Sequence, residues 1–283
     1  MIPSLHNGVS ALKSFTQGLQ TLGNNISNVN SLGYKGARMN YTDNFYVHMQ
    51  DAESGPDDQP RNQVQEFGGG VQTGSLSTNF NQGTVDVTGL DLDLAIEGGG
   101  LPNAGGFFEV TDVASGELFY TRAGSFDSTL AGNVVTRDPY QYQLQGQDGP
   151  LLLAPQDGET ILGRRVEEDG TVKLLVNMDG EDTLRTVGQI KLVNFTAPQY
   201  LKRVGNGYYS NGLAGQNLAG MQDNTVPVTG SNGKIRQYAL ELSNVDLTNE
   251  FATMITHQRA FQAGSRVVTT SDLILNEAIN LKR

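Results

Sequence analysis

The chain has 283 residues and a formal net charge of −11, and it contains neither cysteine nor tryptophan. Without cysteine it has no disulfide, no thiolate nucleophile and no cysteine-ligated metal. No run of apolar residues reaches the roughly eighteen that a membrane-spanning helix needs. Residues 46–239 hold 12 of the 19 basic and 24 of the 30 acidic side chains. This acidic middle repels phosphates, which argues against nucleic-acid binding.

The first predicted element is a helix over residues 4–29 with an apolar side chain at every seventh position. Heptad spacing is typical of helices that pack along their length against other helices. The opposite face carries amides and hydroxyls, which favours a helix contacted on several sides, because charges there would be costly to desolvate. The apolar positions are Leu5, Leu12, Leu19 and Ile26, with Val9 in a companion seam.

The N-terminal segment lacks the pattern of a secretory signal. Residues 1–9 have no basic flank followed by a continuous apolar core. A cytoplasmic enzyme fits this pattern, and so does a protein that is exported by a route that cleaves nothing.

The middle of the chain is predicted to be all-β. Residues 51–62 are acidic, contain proline and lack periodicity, so they indicate an exposed linker. From Val64 onward, short alternating runs are separated by glycines and by hairpin dipeptides such as Asp-Gly at 169–170 and Asn-Gly at 206–207. Such spacing favours many short strands joined by tight turns.

The last predicted element is a helix over residues 247–281, with Asp246 or Ser243 as its N-cap. It repeats the heptad pattern and the uncharged outer positions of the first helix, and the two helices would be antiparallel if they pair within one chain. The seam residues are Leu247, Met254, Phe261, Val268 and Leu275, flanked by Phe251 and Ile279.

These elements predict an α+β protein. Its N- and C-terminal heptad helices form a helical, coiled-coil layer, and a glycine-rich all-β domain is inserted between them. The predicted domains are 1–45 (N-terminal helix plus turn), 46–63 (exposed linker), 64–239 (outer β domain) and 240–283 (C-terminal helix).

The residues offer no catalytic constellation. Asp91 and Asp93 lie on one face of a predicted strand, where solvation is their simplest role. The glycine triplets at 68–70 and 98–100 do not continue into a phosphate-binding motif, and the three histidines are far apart in sequence. Tyr34, Lys35 and Arg38 form a small basic group that indicates a solvated turn or, alternatively, a subunit contact. We therefore expect no enzyme, no cofactor and no metal site.

Three groups of segments carry recognisable motifs. They lie at 23–38, then at 93–98, 106–108 and 120–126, and finally at 243–247, 254–262 and 265–272. Their order and sequence resemble the axial proteins of the bacterial flagellum, the family of hook and rod subunits. The motif residues are Asn24, Asn25, Asn28, Gly33, Tyr34, Lys35, Ser243, Asn244, Val245, Gln258 and Arg259.

The resemblance leaves two subunit types open. The chain lacks the extra outer domain of long hook proteins, and this brevity resembles the distal rod subunit. The C-terminal residues 269–283 and the run at 68–72 look closer to hook proteins, so the hook, a universal joint that passes torque from motor to filament, is the preferred interpretation. The chain also inserts residues 99–105 where the family usually joins directly.

The resemblance implies a structural protein that assembles into a hollow helical tube. Its seam residues would form the inner wall, and its partners would be further copies of itself, the adjacent rod, hook-cap and hook-filament junction proteins, and the flagellar type III export apparatus. Export would leave the N-terminus uncleaved, with neither nucleic-acid binding nor membrane insertion. The location would be the hook outside the cell, or the basal body for a rod.

Each terminal helix has few partners in a free monomer, so we expect both ends to stay disordered until assembly. Two interpretations from other classes remain: a secreted β-rich binding module or enzyme with oligomerising helices, and a soluble coiled-coil adaptor.

Overall fold

The computed structural model describes residues 2–50, 64–98, 106–155, 159–178, 181–212, 221–222 and 233–281. The insertion at 99–105 and most of the predicted linker, 51–63, lie outside the described residues. Within them are two long helices, α1 (Ile2–Ser27) and α2 (Leu247–Asn280), one short 3-10 helix (Pro198–Tyr200) and many short strands. The chain is therefore α+β, as predicted.

The strands alternate with tight turns over most of the chain. In chain order they are β1 (Ala37–Asp43), β2 (Tyr46–Gln50), β3 (Gln65–Gly68), β4 (Val71–Thr78), β5 (Val85–Val87), β6 (Leu94–Glu97), β7 (Phe107–Thr111), β8 (Leu118–Thr121), β9 (Phe126–Ser128), β10 (Val134–Thr136), β11 (Gln143–Gly146), β12 (Gly149–Pro150), β13 (Thr160–Val166), β14 (Thr171–Met178), β15 (Glu181–Gln189), β16 (Leu192–Phe195), β17 (Lys202–Gly205), β18 (Tyr208–Ser210), β19 (Met221–Gln222), β20 (Lys234–Gln237) and β21 (Ala239–Glu241).

Contacts divide the chain into two compact units. The helical unit comprises 1–27, 37–77 and 246–283, and the β unit comprises 28–36 and 78–245. The segment 28–36, which directly follows α1, thus belongs with the strands. The segment 46–63 that the sequence indicates as a linker begins with β2, whose residues are exposed and pair with β3 in an antiparallel hairpin.

In the helical unit, α1 and α2 run antiparallel. The Oγ atoms of Ser4 and Ser271 are 3.3 Å apart, and towards the other end Asn25 Nδ2 donates to Glu250 Oε1 over 3.2 Å. Between these points Gly8 faces Val268, and an added Cβ at Gly8 would lie 2.8 Å from its Cγ2. Small residues thus let the helices approach closely. Both helices are formed and paired within one chain here, and the expectation that they are disordered before assembly stays a prediction.

Asp246 caps α2, as one of the two predicted candidates. Its carboxylate accepts hydrogen bonds from the backbone N–H groups of Thr248 and Asn249, at 2.8 and 3.4 Å. A cap of this kind satisfies donors that have no partner inside the helix. The helix therefore begins where the sequence predicts.

The β unit contains a ten-stranded sheet with the main order β17-β18-β8-β7-β11-β10-β9; β12 pairs with β11, β16 with β7, and β19 with β16. A three-stranded meander, β13-β14-β15, and the pairs β20-β6 and β21-β5 complete the unit. Alternating side chains of β14 enter the core, as the period-two pattern requires. The core is rich in fully buried aromatic and aliphatic residues, including Phe108, Phe126, Leu144, Leu174 and Ile190.

Candidate functional site

The first motif places a tight turn directly after α1. Gly33 adopts a left-handed backbone with φ +62°, and an added Cβ would lie 2.7 Å from Ala123 N and from the carbonyl carbon of Arg122. Its N–H donates to the backbone oxygen of Glu241 over 2.8 Å. Glycine is required here because both the backbone conformation and the close approach exclude a side chain.

Next to this turn lies a buried charge cluster, formed by Lys35, Arg122 and Glu241. Lys35 Nζ donates to Glu241 Oε1 over 2.6 Å, and Arg122 NH1 donates to Glu241 Oε2 over 3.3 Å. The side chains are 0%, 2% and 0% exposed for Lys35, Arg122 and Glu241. Lys35 also donates to Asn81 O over 2.8 Å, and Gly83 N donates to Glu241 Oε1 over 2.8 Å.

Burial dominates the electrostatics of this cluster. Burial and, after it, the neighbouring positive charge of Arg122 lower the pKa of Lys35 to about 8, against the effect of Glu241, which raises it. Burial also lowers the pKa of Arg122, against the effect of Glu241. The Arg122 guanidinium carbon lies 5.0 Å from the centre of the Phe107 ring, which favours the cation. Two cations thus depend on one carboxylate, so removing Glu241 would leave uncompensated buried charge.

Asn244 binds the same turn through its amide. Its Oδ1 accepts from Gly36 N over 2.8 Å, and its Nδ2 donates to the backbone oxygens of Asn79 and Asn81 over 2.8 and 2.9 Å. The backbone N–H of Asn244 donates to Tyr34 O over 3.3 Å. One side chain therefore ties together the segments before α2, after α1 and after β4.

The flanking motif residues have smaller structural roles. Ser243 is buried and its Oγ accepts from the N–H of Val245, which is half-buried. Asn28 Oδ1 accepts from the hydroxyl of Ser31 in the turn after α1. These two hydrogen bonds are local, spanning two and three residues along the chain.

The prediction of a solvated turn at Tyr34, Lys35 and Arg38 is wrong for Lys35. Arg203 donates to the backbone oxygen of Lys35, and its guanidinium carbon lies 5.4 Å from the centre of the Tyr34 ring. Arg38 is exposed. The lysine turns inward because Glu241 and the backbone oxygen of Asn81 replace the water that it loses.

In the helical unit, the motif residue Asn25 is buried and holds the start of β1. Its Oδ1 accepts from Ala37 N over 3.0 Å and its Nδ2 donates to Ala37 O over 2.8 Å. The same Nδ2 donates to Glu250 Oε1 in the first turn of α2. Asn25 therefore joins three elements of this unit. Asn24, Gln258 and Arg259 are exposed.

A ring cluster formed by Phe15, Tyr41 and His257 fills the space beside Gly18. The ring centres are 5.8–6.1 Å apart, and Tyr41 Oη lies 3.4 Å from His257 Nδ1. An added Cβ at Gly18 would lie 2.0 Å from Tyr41 Oη and 2.7 Å from the His257 ring. Burial lowers the pKa of His257, so the neutral ring is favoured near pH 7.

The predicted seam residues divide between half-buried and exposed positions. A heptad seam that packs along its whole length against the partner helix would bury all of these residues. The contact between α1 and α2 instead covers some of them partly and leaves the others exposed. The half-buried residues are Leu5, Leu12, Leu19, Ile26, Met254, Val268 and Leu275. The exposed residues are Val9, Leu247, Phe251, Phe261 and Ile279.

Sequence reasoning missed Glu241, Arg122, Glu250 and Tyr41 as site residues. A signal existed for Glu241, which is an acidic residue among the apolar residues of β21, and for Arg122, which lies inside a quoted motif. No comparable signal marks Glu250 or Tyr41. Among the described residues, no cluster of three His, Asp or Glu side chains could hold a metal, and no helix has the length and apolarity to cross a membrane.

Comparison with known proteins gives two family profiles and a set of relatives. The profile of the flagellar basal body rod FlgEFG protein C-terminal region matches residues 236–281, and that of the flagellar hook protein FlgE/F/G D1 domain matches 103–181. The chain is 34% identical over 284 residues to the flagellar basal-body rod protein FlgG of Bacillus subtilis, covering 100% of both chains. It is 31% identical over 281 residues to that of Caulobacter vibrioides, covering 99% of each chain.

A hook protein also matches, over a shorter region. The chain is 34% identical over 136 residues to the flagellar hook protein FlgE of Treponema pallidum, covering 48% of this chain and 27% of the hook protein.

Proposed function

Since this chain belongs to the family of flagellar basal-body rod and hook proteins, we propose that it is the distal rod subunit of the flagellum. Membership makes it a structural subunit of the flagellum. The observation that carries the finer assignment is the full-length likeness to rod proteins, which covers 100% of both chains in one relative and 99% in another.

The preference for a hook subunit, drawn from the sequence, is less well supported than the rod alternative. The hook relative matches only 27% of its own length, so most of that protein has no counterpart in the match. The C-terminal residues that resemble hook proteins lie in a region whose profile covers FlgE, FlgF and FlgG together. They therefore match both subunit types, whereas the alignment over the full length of rod relatives favours the rod.

Assembly by the helical unit is the proposed mechanism. Apolar residues of α2 that remain exposed in one chain, such as Phe251 and Phe261, would be covered by neighbouring copies in an inner, coiled-coil-like layer. Heterologous contacts that do not close into a ring generate an open helical tube. The predicted seam from Leu5 to Ile26 and from Leu247 to Ile279 would form its wall.

Mechanical continuity is the proposed role of the buried charge cluster. Lys35 lies just after α1 and Glu241 lies just before α2, and both are bound inside the β unit. Within the β unit, the segment 28–36 and the segment that ends at residue 245 are thus tied to each other. A subunit that carries torque would gain from this ion pair, because it resists separation of these two segments.

The proposed partners follow from the family. They are further copies of the chain, the neighbouring rod, hook-cap and hook-filament junction proteins, and the type III export apparatus, with export leaving the N-terminus uncleaved. The proposed location is the basal body, and the proposed role is structural, without enzymatic activity.

Deletion of the gene in the organism that encodes this chain tests the assignment. Electron microscopy of purified basal bodies is expected to show a rod that stops before its distal part, and a plasmid copy is expected to restore it. A complete rod that lacks a hook would contradict the rod assignment and support the hook. Normal flagella in the deletion strain would contradict both.

A further inference from the structure

An exposed stack of aromatic rings lies on the β unit. Tyr140 and Tyr142 are nearly parallel, with ring centres 5.4 Å apart and 10° between the planes, and Tyr142 stacks in turn on Phe119 at 5.1 Å and 26°. Phe119 is buried, whereas Tyr140 is 58% exposed. The stack therefore runs from the core to the surface, and its outermost ring is held in place by the ring beneath it.

Three carboxylates act on this stack. Asp112 and Glu117 lie at the two ends of the turn that joins β7 to β8, and Asp138 precedes Tyr140 by two residues. Burial raises the pKa of the Tyr142 hydroxyl, and Asp112, Tyr140, Asp138 and Glu117 raise it further, in that order. The backbone places them there, since Asp112 N donates to Glu117 O over 3.0 Å and Gln143, next to Tyr142, pairs with Thr111, next to Asp112.

Neutral donors satisfy two of these carboxylates without cancelling their charge. Asp112 accepts from Ala114 N and Ser115 Oγ, and Asp138 accepts from Thr136 Oγ1 and Tyr208 Oη. Within the described ranges, none of the three carboxylates takes part in a salt bridge. Three negative charges and an exposed ring thus lie together, with no salt-bridge partner in the part of the chain that the structure describes.

We propose that this acidic aromatic surface, formed by Tyr140, Tyr142, Asp112, Glu117 and Asp138, binds an arginine side chain on a segment of another protein. A guanidinium stacks on an aromatic ring and pairs with carboxylates at once, so it satisfies both features. Phosphate-rich surfaces are excluded by charge, and a neutral sugar would use the ring but not the carboxylates.

This proposal goes beyond the proposed function and holds for a rod or a hook subunit. It concerns a surface of the β unit, whereas the assembly mechanism concerns the helical unit. The test does not require the partner protein itself, because a short arginine peptide supplies the same chemistry.

The test uses the full-length protein at a dilution where light scattering shows a monomer. The probe is a six-residue peptide of alternating arginine and glycine, and the matched probe replaces each arginine by citrulline, which keeps the planar shape without the charge. Tyrosine fluorescence reports binding, because the chain has no tryptophan. We expect the arginine peptide to bind and the citrulline peptide not to bind.

Variants locate the binding on the surface. Tyr140→Ala is expected to weaken binding about fivefold, from loss of the cation–π contact. Tyr140→Phe keeps an aromatic ring and is expected to bind as the wild type does. Tyr200→Ala changes an exposed tyrosine elsewhere and is also expected to leave binding unchanged. Glu117→Gln is expected to weaken binding about threefold at low salt, and Glu181→Gln, which removes an exposed charge elsewhere, is expected to leave it unchanged. Circular dichroism checks that each variant is folded.

Three outcomes would overturn the proposal. The first is failure of the wild-type protein to bind the arginine peptide. The second is equally tight binding of the citrulline peptide or of chitotriose, which would indicate a site for neutral ligands. The third is unchanged binding by Tyr140→Ala and Glu117→Gln, which would place the peptide elsewhere. None of these outcomes bears on the arrest of rod assembly in the deletion strain.

Discussion

The β unit buries its aromatic residues, whereas α2 leaves its own exposed. Phe107, Phe108 and Phe126 of the β unit are at most 1% exposed, but Phe251 and Phe261 of α2 are 49% and 37% exposed. Burial of such side chains stabilises a fold by about 2 kcal/mol each. The β unit therefore completes its core within one chain, and the helical unit leaves apolar surface for neighbouring subunits to cover.

The two units also use polar residues differently. The β unit satisfies a buried charge cluster with hydrogen bonds from several segments, while the helical unit relies more on neutral groups, such as Asn25 and the ring cluster at Gly18, and binds one carboxylate, that of Glu250, through Asn25. Neutral groups suit a helical unit that is present both in the free chain and in the assembly, because their desolvation costs less free energy than the desolvation of charges. The following predictions test this contrast, from the largest expected effect to the smallest.

The largest effect is expected from a charge on the exposed face of α2. Phe261→Asp would bury an unpaired carboxylate at every subunit contact, at a cost of about 3–5 kcal/mol each, so we expect no rod assembly in the complemented deletion strain. Electron microscopy of basal bodies measures this, and circular dichroism of the purified variant checks that the β unit is folded. Leu130→Asp also replaces an apolar residue by aspartate, at an exposed turn of the β unit, and the variant is expected to assemble. Normal rods with Phe261→Asp would contradict the assembly mechanism.

Glu241→Gln tests the charge cluster in the β unit. It leaves Lys35 and Arg122 buried without a counter-charge, so we expect the free energy of unfolding to fall by about 3 kcal/mol. Urea unfolding followed by near-ultraviolet circular dichroism of the buried tyrosines measures it. The matched change at an exposed glutamate, Glu181→Gln, is expected to alter the free energy by less than about 0.5 kcal/mol. Equal effects of the two changes would show that the ion pairs do not stabilise the unit.

Alkaline pH tests the same cluster without a change in its packing. The pKa of Lys35 is lowered to about 8 in the folded protein, so between pH 8 and its unfolded value near 10.5 the unfolded chain binds more protons than the folded one. The free energy of unfolding should therefore rise with pH in this window, by about 2 kcal/mol from pH 8 to pH 10. Burial raises the pKa of Tyr209, which opposes the rise above about pH 10.

A comparison of pH profiles isolates the lysine. Urea unfolding of the wild type and of Lys35→Met at several pH values is expected to show the rise in the wild type alone. The comparison uses the slope of the free energy of unfolding against pH, so a loss of stability that is the same at every pH does not affect it. Parallel profiles would mean that Lys35 is not the group that titrates.

The smallest effects are expected from two glycines of α1. Gly18→Ala places a methyl group against Tyr41 and His257 and is expected to lower the stability of the helical unit by about 1 kcal/mol. Gly23→Ala meets no atom within 4 Å and is expected to raise it by roughly 0.5–1 kcal/mol through helix propensity. Thermal unfolding followed by the helical circular-dichroism signal measures both. Stabilisation by Gly18→Ala would indicate that the ring cluster does not pack against α1.

The outline of the fold could be predicted because its signals are local. Heptad spacing places both helices, the capping residue Asp246 lies next to the element that it begins, and alternation with hairpin dipeptides predicts the all-β middle. The flagellar family could also be recognised, because its motifs are short continuous segments. Each of these signals lies within a few residues along the chain.

The burial of Lys35 and the role of Glu241 could not be predicted in this way. These residues are 206 positions apart, and their contact depends on the close approach that Gly33 allows and on the pairing of β21 with β5. The helix contact is similar, since Gly8 lies against the seam residue Val268 and Gly264 against the seam residue Leu12, so small residues and seam residues together bring α1 and α2 close. The seam pattern alone cannot show which of its positions one partner helix covers.

The sequence by itself determined the two helices, the β-rich middle and the flagellar family, because backbone propensity and side-chain periodicity act over a few residues. Only the tertiary structure decided that 28–36 joins the β unit, that a lysine in a turn is buried, and that Phe251 and Phe261 remain exposed. Those outcomes depend on the free energy of burying a group against residues distant in the chain, which no local pattern contains.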